Sequence, residues 1–487
     1  LAEAWGDREA LVCRQVAGDS VNSELMVSLS YQQLHLQVQK AKSELQSRGI
    51  KSEDRVIVLT QPNIEFYVLL LACLELGAVL VPLNWRESFR YLAEQIHLIN
   101  PALILKGNGQ LGEPLGELFR HPRKESQKKS EEYDEQPWFL LATSGTTGKP
   151  KLVAYTLDMV WYNFLHTKPI VDLNESTISA TLLPVHHTAG INLYALPTLF
   201  AGGKVVVYNE FKPETVLQDI HQRVFNTLLV VPTVYQKLLD HPNFQSTEFS
   251  GMRSLASGGA PLPAGIYQRF AQSKQFVVQN GCGMTETGPA LFFQTRDEAA
   301  LATDHALNCV GQPGAHWQVV LRDLAGQDVE PGQVGQIWVK GPGLTPGYCQ
   351  IIDNQIQVFP ASDHQGWYAT GDLAVQEKDG QFRIVDRVKE IFICGGENVF
   401  PGEVEKVLLE HPGVKEAIVM GVPDQTWGEV GMAWVLPEHH GEPLDETGLM
   451  DHCRKNLAAF KVPAKIVQVQ DFPRTASGKV IKRQLKQ

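Results

Sequence analysis

Residues Leu140-Leu-Ala-Thr-Ser-Gly-Thr-Thr-Gly-Lys-Pro-Lys151 decide how the chain is read. Hydroxyls, glycines and two lysines crowd into Thr143–Lys151, directly after the apolar run Trp138–Ala142. That composition suits a polyanion. Glycines let backbone N–H groups approach phosphate oxygens, hydroxyls donate, and ammonium groups add charge. The stretch is not a Walker A loop, which needs four residues between its glycines and Ser or Thr after the lysine. Here only Thr146 and Thr147 separate Gly145 from Gly148, and Pro150 follows Lys149. The proline also argues against the loop opening straight into a helix. Lys151-Leu-Val-Ala-Tyr-Thr156 reads as a second strand, so the loop is expected to join two strands. Taken alone, the stretch also fits an ordinary Ser/Thr/Gly hairpin turn.

The 487 residues predict two or more domains. Hydrophobic content of 43% and charged content of 20% are those of a globular protein with a large core. A net charge of −11 argues against nonspecific nucleic-acid binding by the whole chain, yet leaves room for a local basic site. The seven cysteines are scattered, odd in number and without a C-x-x-C pair. This argues against a disulfide framework or zinc site and fits a reducing, cytoplasmic compartment. The most apolar stretch, Phe66–Leu83, is interrupted by Glu75, Gly77 and Pro82. It reads as a buried helix end, a stop at Gly77 and a strand Ala78–Val81 rather than a transmembrane segment. No signal peptide is legible, and a start at Leu1 without Met leaves an upstream targeting segment open.

Helix-like and strand-like segments alternate through the first half. Arg55–Leu59, Ala78–Val81 and Leu103–Leu105 read as strands, with a helix over Asn63–Leu76. The alternation returns in Gly203–Tyr208 (strand), Pro213–Arg223 (helix), Thr227–Val231 (strand) and Thr233–Leu239 (helix). It implies βαβ units and parallel sheets. Residues 121–137, charged and poor in apolar groups, read as a solvated linker in which Lys128-Lys129 is not a binding patch. From Trp317 short strands take over: Gln318–Leu321, Gly335–Val339 and Gln381–Val385, with Asp379-Gly380 as a hairpin turn. A small terminal unit follows from about Val388. It is expected to hold a helix Pro401–Glu410, a strand Glu416–Met420, a helix Thr447–Phe460 and a basic tail Pro473–Arg483.

Further segments repeat the theme of the opening loop. They are Leu183-Pro-Val-His-His-Thr-Ala-Gly190, Ala256-Ser-Gly-Gly-Ala-Pro261 and Asn280-Gly-Cys-Gly-Met-Thr-Glu286. Tyr368-Ala-Thr-Gly-Asp372, Ile384–Ile391, Gly395–Glu403 and Arg474–Lys479 complete the series. In this order, and over nearly the whole chain, they resemble the adenylate-forming superfamily of acyl-CoA synthetases, luciferases and peptide-synthetase adenylation domains. The resemblance implies an α/β fold. Residues 1–386 would form a large N-terminal domain of parallel-rich sheets with packed helices and a small distorted β-barrel. Residues 387–487 would form a small mobile α+β C-terminal domain, with a hinge near Lys389.

The resemblance also implies roles. Thr143, Ser144, Gly145, Thr146, Thr147, Gly148, Lys149 and Lys151 would hold the ATP β,γ-phosphates. Glu286 and Thr146 would help hold Mg²⁺, as oxygen donors suit a hard cation; alone, Glu286 is equally a helix-capping acid. Ser257, Gly258, Gly259 and Ala260 would lie along adenine, with Asn280, Gly281, Cys282, Gly283, Met284 and Thr285 beside them. Asp372 would accept from ribose hydroxyls, with Ile384 nearby and Arg387 on ribose or phosphate; alone, the two read as a Gly-Asp turn residue and a surface ion pair. Lys479 would reach carboxylate and α-phosphate during adenylation and then leave. His187, preferred over His186, would line the acyl pocket. Gly395 and Gly396 would line the pantetheine tunnel. One departure stands out: Cys282 replaces the family's aromatic residue that stacks on adenine, an interaction worth about 1 kcal/mol. Cys282 reads as a small buried hydrophobe or as a redox sensor.

The implied reaction converts a carboxylate and ATP to acyl-adenylate and pyrophosphate, after which the CoA thiol gives acyl-CoA and AMP. Apolar residues in Ala189–Phe200 favour a medium- or long-chain fatty acid. An aryl acid such as o-succinylbenzoate, or loading of a separate carrier protein, are the alternatives. A non-catalytic binding protein has only Cys282 in its support. The expected partners are the small-molecule carboxylate, ATP and CoA, and a homodimer is left open.

Overall fold

The computed structural model describes residues 1–14, 26–107, 116–120, 136–143, 150–300, 309–438, 444–474 and 480–485. They form two compact units: Leu1–Gln318 with Lys340–Tyr368, and Val319–Val339 with Ala369–Gln487. Of the charged stretch 121–137, only Gln136 and Pro137 lie among the described residues.

In the first unit, Arg55–Leu59 and Val79–Leu83 are buried at every residue, as parallel strands covered on both faces must be. Helix α1 (Ile64–Leu76) connects these parallel neighbours. Asn63 caps it by accepting the Phe66 N–H at 2.8 Å, and Gly77 ends it at φ 72°. Its sequence is apolar on nearly every side, so it packs into one core with strands of two sheets. The second strand includes Pro82, one residue beyond its expected end. Its described pairing with the next strand lies at Leu80, before the proline, so that ladder does not need the missing N–H.

The opening motif spans a hairpin. Strands β1 (Phe139–Thr143) and β2 (Lys151–Tyr155) pair antiparallel from Phe139↔Tyr155 to Thr143↔Lys151. The loop therefore does join two strands. They lie in an eight-stranded sheet ordered Gln355–Pro360, Gly347–Ile352, β2, β1, Val79–Leu83, Arg55–Leu59, Leu103–Lys106, Gly116–Arg120. Helix α2 (Leu157–Ile170) follows β2, capped by Thr156.

A nine-stranded sheet carries the other motifs. Glu9–Arg14, Lys204–Tyr208, Ile178–Thr181, Thr227–Val230, β3 (Ser254–Ser257) and β4 (Val278–Met284) run parallel. Strand β5 (Gly288–Phe293) turns back antiparallel on β4. Strand β6 (Gly347–Ile352) returns to the eight-stranded sheet, where Tyr348 pairs with Val153 and Cys349 with Leu152 of β2.

The second unit holds a four-stranded sheet ordered Gln318–Arg322, Val334–Lys340, β7 (Tyr368–Gln376), β8 (Phe382–Arg387). The described pairings do not trace a closed barrel. Asp379-Gly380 makes the β7–β8 turn, with Gly380 at φ 86°. The C-terminal part is a five-stranded sheet with helices α3 (Pro401–Leu409) and Glu446–Asn456 around one core. The strand expected at Glu416–Met420 extends over Val414–Asp424, because it pairs along its length with Gly428–Pro437. The helix expected to reach Phe460 ends at Asn456, where Leu457 turns extended. None of the seven cysteines is in a disulfide, and no described helix is long and apolar enough to cross a membrane.

One polar network sits inside the first unit. Arg14 donates to Asp219 through Nε (3.0 Å) and Nη2 (2.6 Å), and the Tyr208 hydroxyl donates to the same carboxylate at 2.6 Å. Both charged side chains are buried. Removing one partner leaves an uncompensated interior charge, whereas removing both does not. Asp219→Ala is therefore expected to lower the unfolding free energy by about 3–5 kcal/mol in urea titration. Arg14→Met with Asp219→Ala is expected to recover most of that loss, and a double variant as unstable as the single would contradict the assignment.

Candidate active site

Strand β3 ends at Ser257, in register with Asn280 of β4, and the parallel pairing stops there while β4 runs on to Met284. The carboxyl ends of adjacent parallel strands are where open α/β sheets leave a crevice for ligands. Beyond Ser257 the chain turns through Gly258 and Gly259. A Cβ on Gly258 would lie 3.2 Å from the Gly281 carbonyl oxygen, and Gly259 has φ 79°. Ala260 is exposed. The Ser257 hydroxyl is fully enclosed and has no hydrogen-bond partner among the described residues. Asn280 is occupied by the fold: its amide donates to Cys309 O and its oxygen accepts from Gly281 N–H, both at 3.1 Å. Gly281 and Gly283 answer to packing, since a Cβ would meet Phe293 at 2.6 Å and Pro289 at 2.4 Å. Cys282 is partly exposed and in register with Phe292 of β5. Met284 N–H donates to Thr287 Oγ1 across the turn Thr285–Thr287.

That turn delivers Glu286, which is buried. Tyr348 O–H donates to Glu286 Oε1 at 3.0 Å, and the Tyr368 hydroxyl lies 3.3 Å from that of Tyr348. Lys151 Nζ sits 4.5 Å from the centre of the Tyr348 ring, within cation–π range. Sheet register explains the meeting. Tyr348 is opposite Val153, and Lys151 is two residues along the same strand, on the same face. Burial pushes the Tyr348 phenol up to about 12, helped by the Glu286 charge, so it remains a donor at neutral pH. Sequence reasoning named Lys151 and Glu286 and missed Tyr348, the residue that brings them together. Thr143 faces Lys151 across the hairpin. Ser144, Gly145, Thr146, Thr147, Gly148, Lys149 and Lys479 lie outside the described residues.

The His186 and His187 rings lie tilted by 52° with centres 4.5 Å apart, just before a π turn at Ala189–Leu193. Burial, then the neighbouring His187 and Arg86, pushes His186 down to about 3. Burial also lowers His187. Both rings are neutral at pH 7. His186 is the more enclosed, with Nε2 unpartnered among the described residues, while His187 keeps partial exposure.

In the second unit, Asp372 and Arg387 are register partners on β7 and β8, joined by Nε to Oδ1 at 2.9 Å. Asp372 is a strand residue rather than a turn residue, and the ion pair expected of Arg387 is made to Asp372. Ile384 sits on β8 opposite Ala374. Lys389 is exposed in the turn Val388–Glu390. Gly395 (φ 60°) and Gly396 (φ 90°) follow, and a Cβ on Gly395 would lie 2.8 Å from the Trp427 ring. That indole is largely exposed, and its backbone carbonyl accepts from Gly395 N–H at 2.9 Å.

A charged cluster that the sequence did not signal holds the Val388–Glu390 turn. Lys482 Nζ pairs with Glu390 and lies 3.8 Å from Glu405. Glu405 accepts from Val419 N–H at 2.8 Å, and Asp386 accepts from Gly402 and Arg387 N–H at 2.7 Å each. Burial pushes Glu405 up to about 7 against the opposing pull of Lys482. On the same tail, Arg474 pairs with both oxygens of Glu416, and a bridge joins Arg474 to Val480.

The chain matches the family of AMP-binding enzymes over residues 2–349, and the AMP-binding enzyme C-terminal domain over residues 403–479, and it belongs to that family. It is an AMP-forming acid–thiol ligase that uses ATP, Mg²⁺ and coenzyme A. It is 33% identical over 472 residues to a feruloyl-CoA synthase of Amycolatopsis sp, covering 94% of each chain. It is 29% identical over 483 residues to an indoleacetate–CoA ligase of Aromatoleum aromaticum, covering 94% of this chain and 93% of that one. Its structure resembles that of o-succinylbenzoate coenzyme A synthetase from Bacillus subtilis in complex with ATP and magnesium ion. The TM-score is 0.81 at 26% identity, over 100% of this chain and 98% of the other. Glu286, a buried carboxylate held by the Tyr348 hydroxyl, is an oxygen donor of the kind magnesium takes, with phosphates and water completing its shell.

The Glu405 cluster predicts a pH dependence. A carboxyl whose folded pKa of about 7 exceeds its unfolded value of 4.5 binds its proton more tightly when folded. Its contribution to stability is full below the unfolded pKa and is lost as pH rises through the folded one. Lowering the pH from 8 to 5.5 is expected to stabilise the wild type against urea by roughly 1–3 kcal/mol more than Glu405→Gln, allowing for partial exposure. Equal pH slopes for the two proteins would contradict this.

Proposed function

We propose that the acid activated by this ligase carries an aromatic ring. The observation that carries this reading is that both named relatives act on acids of that kind, feruloyl and indoleacetate. The fatty-acid reading rested on Ala189–Phe200, but Gly190–Leu199 is buried throughout, so its apolar character is accounted for by packing.

In this reading the site works in two stages. Glu286 and Thr146 would supply the protein oxygens for a magnesium ion bound with ATP, which would offset phosphate charge. Lys151 and the hydroxyls and N–H groups of the 143–151 loop hold the β,γ-phosphates as charge shifts toward pyrophosphate. Ser257–Ala260 flank adenine, and Asp372 with Arg387 orient ribose. Lys479 bridges the carboxylate and the α-phosphate. Residues 387–487 then swivel about Lys389, removing Lys479 and bringing Gly395-Gly396 to the thiol path, where a side chain would obstruct entry.

Two measurements test this. Mg-ATP-dependent pyrophosphate release across hydroxycinnamic, arylacetic, succinylbenzoic, dicarboxylic and fatty acids is expected to favour the best aromatic acid over the best fatty acid. The expected margin in kcat/KM is about 10-fold or more, and the reverse order would sink the aromatic reading. Lys479→Ala is expected to slow adenylation by about 100-fold or more. The same variant is expected to retain thioester formation from supplied acyl-adenylate, so parallel loss of both steps would contradict the role of Lys479.

A further inference from the structure

We propose that Tyr348 is a positioning residue: its hydroxyl aims the Glu286 carboxylate at the magnesium–nucleotide complex while its ring steers the Lys151 ammonium. The proposal rests on the reading of Glu286 as the carboxylate that meets magnesium.

The geometry is a clamp on Glu286 at two points. Thr345 N–H donates to the Glu286 backbone carbonyl at 2.8 Å, and Tyr348 O–H donates to its Oε1 at 3.0 Å. Thr345 Oγ1 in turn donates to Ala154 O of β2 at 2.7 Å. Residues three apart on one segment therefore fix both the main chain and the side chain of Glu286 to β2, whose first residue is Lys151. The start of that segment tolerates no side chain at Gly347, where a Cβ would come within 2.0 Å of the Phe359 carbonyl oxygen. Ladder pairing on both flanks, Tyr348↔Val153 and Tyr348↔Phe359, leaves the phenol little freedom to drift.

The chemistry follows from the hydroxyl and the ring separately. A donor on Oε1 selects one rotamer of Glu286, so the carboxylate meets the cation without first losing rotational freedom. Outer partners of metal-bound carboxylates commonly affect affinity by 10–100-fold. The ring face stabilises an ammonium at 4.5 Å, which holds the Lys151 Nζ over Tyr348.

Tyr348→Phe keeps the ring and removes only the hydroxyl. In calorimetric titration of ATP at varied MgCl₂, it is expected to raise the half-saturating magnesium concentration about 10-fold. Pyrophosphate release is expected to show the same shift, with kcat recovering at saturating magnesium. Tyr348→Leu also removes the ring and is expected to weaken ATP binding further, in a way that added magnesium does not restore. Tyr368→Phe, which alters the neighbouring hydroxyl without touching Glu286, is expected to keep the wild-type magnesium dependence. A wild-type magnesium dependence in Tyr348→Phe overturns the proposal, as does an equal shift in Tyr368→Phe. Glu286→Gln separates the two levels: if it leaves magnesium dependence unchanged, the reading of Glu286 itself fails. If Glu286→Gln shifts it and Tyr348→Phe does not, only the role of Tyr348 fails.

Discussion

The pairing of Gly347–Ile352 with Lys151–Tyr155 is the constraint on which the meeting of Lys151, Tyr348 and Glu286 depends. Those strands are separated by nearly two hundred residues, yet one register decides which side chains meet. Tyr348 opposite Val153 puts its ring diagonal to Lys151 and its hydroxyl on Glu286. A slip of one residue would turn Tyr348 to the other face and away from Lys151 and Glu286. The register is held by burial: Cys349, Leu152 and Ala154 share one core cluster, which a slip would expose.

Around this centre the interior is arranged to keep ionisable groups in one state. Burial lowers both histidines of the 186–187 pair and raises the Tyr348 phenol, so rings stay neutral and the phenol stays a donor near pH 7. Desolvation disfavours the charged form in each case. The second unit shows the converse arrangement. Asp386, Glu390 and Glu405 gather around Lys482, and its ammonium makes their burial tolerable. This cluster fixes the turn that carries Lys389 to the segment beyond Val480, so the proposed swivel point and the tail share one anchor.

Much of this was legible in order but not in contact. Asn63 and Gly77 mark the ends of α1 because capping is a local event, and Asp379-Gly380 marks its hairpin for the same reason. The two-strand reading of the Thr/Gly loop held because Pro150 and the apolar runs beside it are local signals. Tyr348, Trp427 and Lys482 were not legible. Each is an ordinary residue type in an ordinary stretch and gains its meaning from a partner far away in sequence. Gly281 and Gly283 also answer to strand packing, against Phe293 and Pro289, which the local sequence does not show.

The sequence by itself determined the chemistry: an ordered series of hydroxyl, glycine, lysine and acid motifs that handles a nucleoside triphosphate and a thiol. That information is local, since each motif carries its own backbone freedom and charge. Only the tertiary structure decided how the motifs cooperate, because strand register and burial are long-range. They set which hydroxyl aims Glu286, which of two histidines stays accessible, and which charges surround the turn at Lys389.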